Sequence, residues 1–131
     1  MRILIAEDEE VCGKLLQRIL ERYGECVVAR NGQLAVEAFQ EAFASGKRYD
    51  LVFLDIMMPV KNGQQVLNEI RDYEQENGVP LGGATKVIMT TALDDEENVF
   101  EAHVSGCCAY LVKPIDKNKV IQEVRALGFS V

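Results

Sequence analysis

The fold of this chain is decided by the stretch LVFLDIMMP at residues 51–59. Four apolar residues ending in Asp55, followed by a turn with Pro59 and Gly63, are typical of a buried strand that breaks into a loop. An aspartate is seldom fully buried without partners, so its carboxylate needs water or other side chains nearby. Ligands of parallel α/β sheets bind outside the carboxyl ends of the strands. We therefore expect the chemistry of this protein at Asp55.

Length and composition indicate the class of protein. The 131 residues suffice for one sizeable core, so we expect a single domain over residues 1–131. The net charge of −7 argues against nucleic acid as a direct partner, because binding phosphates needs a basic face. No apolar run reaches membrane-spanning length and no signal peptide is visible, so we expect a cytoplasmic protein without a membrane partner. The four cysteines lack zinc-type spacing and are expected to be reduced thiols.

Short apolar strands alternate with amphipathic helices along the whole chain. The strands are predicted at residues 3–6, 26–29, 51–55, 86–90 and 109–112. Apolar residues at helical spacing mark helices around 11–20, 34–42, 66–73, 99–102 and 120–127. Asn31 and Asp94 are expected to cap the second and fourth helices, and Gly24, Gly46 and Gly106 to end the first, second and fourth. The pattern predicts an α/β fold, a flavodoxin-like (βα)5 doubly wound parallel sheet with strand order 2-1-3-4-5.

Polar residues cluster where these strands end. Glu7 and Asp8 follow the first strand, Asp55 ends the third, Thr91 follows the fourth and Lys113 follows the fifth. Because strands 1 and 3 are neighbours in the predicted order, the three acids should converge at one edge of the sheet. Clustered carboxylates repel each other and favour a cation, and hard oxygen ligands suit Mg²⁺. A carboxylate can itself accept a phosphoryl group, with Thr91 and Lys113 available to contact its oxygens.

The order and spacing of these motifs resemble those of the response-regulator receiver domains of two-component signalling, over essentially the whole chain. The motifs that carry the resemblance are Glu7-Asp8, Asp55 to Pro59 with Gly63, Thr91-Ala92, and Lys113-Pro114. The resemblance implies that Asp55 is the phosphoacceptor and that a phosphohistidine on a sensor histidine kinase or a phosphotransfer protein is the donor. It also implies a Mg²⁺- or Mn²⁺-dependent reaction in a signalling protein that is not an enzyme.

The resemblance further implies roles for the residues around Asp55. Asp8 would bind the metal directly, Glu7 through water, and Met57 through its backbone carbonyl. Lys113 and Thr91 would contact the phosphoryl group. The peptide bond between Lys113 and Pro114 would be cis. The Tyr110 ring would be a switch coupled to the Thr91 hydroxyl, and an unidentified output protein would bind the face formed by the predicted fourth helix, fifth strand and last helix.

The other notable residues have simpler interpretations. Glu9 and Glu10 lie where a helix begins, and acids there are favoured by the helix dipole. Tyr110 fits core packing as well as a switch role. His103, the only histidine, has no ligand partner nearby in sequence, which favours a structural or surface role. Glu7 stands where the family more often has a second aspartate, so we expect an altered metal affinity. The loop around residues 78–85 is unusually long and receives no role.

Alternative functions stay in view. A haloacid-dehalogenase-type phosphatase also phosphorylates an aspartate after a strand, but it needs a second acid two residues later, where this chain has Met57. A flavodoxin-like electron carrier is rejected, because the acids at residues 7–10 would repel the phosphate of the flavin. A phosphate sink and a phosphorelay shuttle both remain open, since each uses the same phosphoacceptor chemistry.

Overall fold

The computed structural model describes residues 1–92 and 106–131, and the predicted fourth helix with Asp94 and His103 lies outside them. Five strands form one sheet: β1 (Arg2–Ala6), β2 (Glu25–Ala29), β3 (Leu51–Asp55), β4 (Lys86–Thr91) and β5 (Ala109–Val112). Every pairing is parallel, and the order is β2-β1-β3-β4-β5. The predicted flavodoxin-like sheet is confirmed.

The helices of the described residues connect these strands. They are α1 (Glu10–Leu20), α2 (Gly32–Ala44), α3 (Gly63–Glu76) and a C-terminal helix (Lys117–Ala126), with a short 3₁₀ turn at Leu81–Gly83. Asn31 caps α2 as predicted, because its side chain accepts a hydrogen bond of 2.8 Å from the Leu34 amide. None of these helices is long and apolar enough to cross a membrane.

Two helix boundaries differ from the predictions. Helix α3 begins at Gly63, earlier than the apolar spacing indicated, because Asn62 and Gln65 form a reciprocal capping box with two bonds of 2.9 Å. Gly24 does not end α1, which stops at Leu20. Gly24 instead allows a close approach of two backbones, since a Cβ there would lie 2.2 Å from the Met1 carbonyl oxygen. Gly46, at φ 78°, follows α2 as predicted.

Alternating side chains of the sheet build a separate core on each face. In β1, Ile3 and Ile5 face the α1 and C-terminal helix side, while Leu4 and Ala6 face α2 and α3. The residues of β3 alternate in the same way, and all five are buried. Strands covered by helices on both faces read as continuous apolar runs, as β1 and β3 do.

Candidate functional site

Asp55 is the last residue of β3, and its side chain is only 4% exposed. One carboxylate oxygen, Oδ1, accepts a hydrogen bond of 3.1 Å from the Met57 amide. The other, Oδ2, accepts a bond of 3.2 Å from the Lys113 ammonium. A loop amide and a distant lysine thus supply the partners that a buried aspartate requires.

Two further carboxylates meet that of Asp55. Ligand oxygens of Glu7, Asp8 and Asp55 all lie within 4.8 Å of one another. The pairing of β1 with β3 explains the convergence, because Ala6 is level with Leu54 and the acids follow these residues. The structure therefore brings together the acids that the sequence placed at separate strand ends.

Lys113 lies among these acids. Its ammonium nitrogen is 3.0 Å from Glu7 Oε1, 3.2 Å from Asp55 Oδ2 and 3.6 Å from Glu9 Oε1. The Lys113–Pro114 peptide bond is cis. Burial alone would lower the pKa of Lys113, but the Glu7 and Asp55 carboxylates raise it above its ordinary range. The lysine is therefore a permanent cation at the site.

The two buried carboxyls have opposite pKa shifts. Burial, together with the neighbouring Glu7 carboxylate, raises the pKa of Asp55 to about 7. Burial also opposes the ionisation of Glu7, but hydrogen bonds from Asp55 and Cys12 hold the pKa of Glu7 below its ordinary value. Glu7 therefore loses its proton more readily than Asp55 does, and a divalent cation bound at the site would favour the ionised form of Asp55.

The donor set fits a hard divalent cation such as Mg²⁺ or Mn²⁺. All three acids offer carboxylate oxygens, which these ions prefer. Glu7 is 1% exposed, and although its Oε1 is close to Lys113, no group in the described part of the chain gives that oxygen a well-directed hydrogen bond. A buried oxygen without such a bond is suited to a metal-bound water.

The other predicted site residues lie around this cluster. Thr91 ends β4 and is buried, and its hydroxyl donates a bond of 3.1 Å to the Ala92 carbonyl, not to Asp55. Met57 contributes its amide to Asp55, while its side chain is exposed. Tyr110 lies in β5 opposite Met89, and its side chain is partly exposed. All of the predicted site residues thus lie among the residues that the structure describes.

Glu9 and Cys12 also take part in this site, although their sequence positions gave them no role there. The Glu9 amide donates a bond of 3.2 Å to Glu7 Oε2, in addition to the contact of its carboxylate with Lys113. Burial, together with the neighbouring Glu7 carboxylate, raises the pKa of the Cys12 thiol to about 12. A glutamate at a helix N-cap, a position where Ser, Thr, Asp and Asn are preferred, was the available signal for Glu9.

The geometry has a counterpart in known proteins. A family model for the response regulator receiver domain matches residues 3–125. The chain belongs to this family. Receiver domains are signalling modules and are generally not classed as enzymes. The transcriptional regulatory protein SrrA of Staphylococcus aureus is 36% identical over 126 residues, which are 95% of this chain and 46% of that protein. The receiver domain thus spans about half the length of the curated relatives it matches.

Solved receiver domains have the same fold. The receiver domain of Ssk1 from Saccharomyces cerevisiae, crystallised with the histidine phosphotransfer protein Ypd1, is 27% identical with a TM-score of 0.84. That match covers 98% of this chain and 88% of the other. CheY of Borrelia burgdorferi, in a complex with CheX, BeF3 and Mg, is 28% identical with a TM-score of 0.82, over 99% and 90% of the two chains.

Proposed function

We propose that this receiver domain accepts a phosphoryl group on Asp55 from the phosphohistidine of a sensor histidine kinase or phosphotransfer protein, and then signals by binding another protein. The observation that carries the proposal is the Asp55 carboxylate, held 3.2 Å from the Lys113 ammonium inside a group of three acids. We further propose that residues 1–131 form one receiver domain and that the protein is cytoplasmic.

The acids would hold the Mg²⁺ or Mn²⁺ ion. Asp8 and Asp55 would bind it directly, Glu7 through a water molecule, and Met57 through its backbone carbonyl. When bound, the cation supplies positive charge that keeps Asp55 ionised and neutralises phosphoryl oxygens. The buried Oε1 of Glu7 has the Lys113 ammonium 3.0 Å away but accepts no well-directed hydrogen bond from the described residues, which supports the water-mediated part of this assignment.

The transfer step needs few protein groups. A carboxylate oxygen of Asp55 attacks phosphorus, the bond from phosphorus to the donor's imidazole nitrogen breaks, and the electron pair returns to the imidazole ring. The Lys113 ammonium and the Thr91 hydroxyl contact the phosphoryl oxygens as charge builds on them. Positioning and charge neutralisation supply most of the catalysis in phosphoryl transfer.

Donor and output protein would use different surfaces. Apolar side chains are exposed at the edge of the sheet where the strands end, and a donor could bury Val11, Leu34, Met57 and Val60. The Ssk1 receiver crystallised with a phosphotransfer protein supports a donor of this kind. Output would follow when the Thr91 hydroxyl leaves the Ala92 carbonyl for the phosphoryl group and Tyr110 follows it, shifting the population towards a conformer that the output protein binds. The proposed output face includes β5, the C-terminal helix and the predicted fourth helix.

This chain lacks a group that the alternative function, a haloacid-dehalogenase-type phosphatase, requires. A haloacid-dehalogenase-type enzyme requires an acid two residues after its nucleophile, and this position is Met57, whose side chain is exposed. A phosphorelay shuttle or phosphate sink uses the same reaction at Asp55 and differs only in where the phosphoryl group goes next.

Intact-mass measurement after incubation with acetyl phosphate tests the proposal. We expect the wild-type protein to gain one phosphoryl group with Mg²⁺ and none after chelation. Asp55→Asn should gain none under either condition, because its amide is not a nucleophile. Asp72→Asn, the same change at an exposed position of α3, should behave like the wild type. The proposal would be contradicted by a labelled Asp55→Asn variant. It would also be contradicted by a wild type that binds Mg²⁺ but is labelled neither by acetyl phosphate nor by a phosphorylated histidine phosphotransfer protein.

A further inference from the structure

Glu9 occupies the N-cap position of α1 but does not cap the helix. The side chain is 66% exposed, and its carboxylate makes no hydrogen bond to the first turn. Its Oε1 instead lies 3.6 Å from the Lys113 ammonium. A glutamate that gives up capping and approaches the lysine of the phosphoryl site is placed to influence that site.

Lys113 has one exposed and two buried acidic neighbours. The buried ones, Glu7 and Asp55, belong to the metal and phosphoacceptor cluster. Glu9 is not part of that cluster, so the proposed metal binding and phosphoryl transfer give its charge no role. When Asp55 becomes an acyl phosphate, Lys113 must turn to the phosphoryl oxygens, and Glu9 then competes for the same ammonium.

We propose that Glu9 is a positioning residue that acts through Lys113 and selects against small anionic phosphodonors in favour of a protein donor. The inference rests on the proposed function and adds the donor preference of the same site. The carboxylate holds Lys113 away from an incoming phosphoryl group and also repels the dianion that carries it. Both effects slow the reaction with a small free donor.

A protein donor meets the same charge differently. Its phosphohistidine arrives on a surface that can bring a basic side chain to pair with Glu9, which releases Lys113 and turns the repulsion into attraction. Complementary charge across an interface chiefly raises the association rate and excludes wrong partners. The partner feature predicted by this inference is therefore a lysine or arginine near the phosphohistidine.

The rate constant for phosphorylation, measured at saturating Mg²⁺ for each variant, tests the inference. At low salt we expect Glu9→Gln to react about two- to five-fold faster with acetyl phosphate, the size of effect typical of exposed charge pairs. The gain should be smaller with phosphoramidate, whose ammonium group reduces its net negative charge. It should shrink towards 1 M salt, where the screening length falls to about 3 Å.

Two matched variants separate this role from others. Glu10→Gln removes the same charge one residue later, where the carboxylate pairs with Lys14 at 3.1 Å, and should react like the wild type. Glu9→Asp keeps the charge, and aspartate is a better N-cap than glutamate. If Glu9 acted only through capping, the phosphorylation rate constants of Glu9→Asp and Glu9→Gln would therefore change in opposite directions relative to the wild type. We expect its acetyl phosphate rate to lie between those of the wild type and Glu9→Gln, because the shorter carboxylate still repels the donor but contacts Lys113 less.

Other outcomes would overturn the inference. An unchanged or slower Glu9→Gln, an equal gain in Glu10→Gln, or a gain that persists in high salt would each exclude an action of Glu9 through Lys113. A wild-type protein that is phosphorylated neither by acetyl phosphate nor by a phosphorylated histidine phosphotransfer protein would instead remove the proposed function, and with it the reaction that Glu9 is inferred to tune.

Discussion

Val60 is a strained residue close to the site. Its φ is 71°, a region that a β-branched side chain rarely enters, and it is the sole non-glycine residue of the described chain with a positive φ. The Lys61 amide donates a bond of 2.8 Å to the Pro59 carbonyl across it, which makes a three-residue turn of a rare and strained type. The turn lies in the loop between β3 and α3 and leaves the Val60 side chain exposed.

Replacing Val60 with asparagine should stabilise the protein. Asparagine tolerates a positive φ, and the exposed valine side chain makes little packing that could be lost. We expect the free energy of unfolding in urea to rise by about 1 kcal/mol, since strained backbone positions cost about 1–3 kcal/mol. Val11→Asn, the same change at an exposed position of α1, should be neutral or slightly destabilising. Equal effects of the two changes would contradict the strain.

At the scale of elements, the long loop between α3 and β4 is organised by one buried acid. Glu74, near the end of α3, is 3% exposed and accepts bonds of 2.7 Å from both the Arg71 side chain and the Thr85 amide. Arg71 also donates to the carbonyls of Thr85 and Gly106, and so joins α3 to the starts of β4 and of the β5 segment. This loop, to which the sequence assigned no role, thus closes the end of the sheet opposite the phosphoacceptor.

Glu74→Ala should lower the free energy of unfolding by about 3 kcal/mol, because it leaves the Arg71 guanidinium and the Thr85 amide without their buried partner. Urea denaturation measures the effect. Glu76→Ala, an exposed change on the same helix, should shift stability by less than about 0.5 kcal/mol. The phosphorylation of Asp55 by acetyl phosphate should survive the Glu74 change under folding conditions, since the two sites lie at opposite ends of the sheet. A Glu74→Ala variant as stable as the Glu76 control would show that the network contributes no net stability.

At the scale of the whole molecule, the fold places carboxylates that repel each other at the sheet edge where the strands end. The sheet brings Glu7, Asp8 and Asp55 together, and among the residues that the structure describes Lys113 is the cation that pairs with Glu7 and Asp55. Stability, protonation and metal binding are therefore coupled in this protein. The pH dependence of unfolding without metal makes the coupling measurable.

Without divalent metal, the stability of the wild type should fall as the pH rises from about 4 to about 7. The pKa of Asp55 is about 7 in the folded protein and about 3.9 in an unfolded chain, so the folded state binds more protons between these values. For one proton the slope is at most about 1.4 kcal/mol per pH unit. Urea unfolding at a series of pH values in a chelating buffer measures it.

Asp55→Asn is the control for this coupling, and it should lack the decline attributed to Asp55. Saturating Mg²⁺ should remove the decline in the wild type at neutral pH, because the cation binds the folded state and takes the place of the proton. Parallel stability curves for the wild type and Asp55→Asn in chelating buffer would show that Asp55 ionises in the folded protein as it does in the unfolded chain.

The sequence by itself determined the architecture and the identity of the phosphoacceptor candidate. Apolar runs such as residues 51–55, with helical spacing between them, predicted alternating strands and helices, because local periodicity reports which faces are buried. The strand order then came from the flavodoxin-like fold that this alternation indicates. The cluster of Glu7, Asp8 and Asp55 followed from that order, since parallel strands end at one edge. The start of α3 is also determined by nearby residues, Asn62 and Gln65, which form its capping box. The apolar spacing did not reveal this start, because the capping residues are polar.

Only the tertiary structure decided which charges meet. That Glu9 turns from its helix to Lys113, and that Glu74 is buried between Arg71 and Thr85, depends on where distant segments pack. In sequence, each of these acids looks like an ordinary solvated residue on a helix. Local propensity acts over a few residues, whereas the burial and pairing of a charge depend on every element around it. The protonation of Asp55 was likewise set by the completed fold, because burial and the Glu7 carboxylate raise its pKa together.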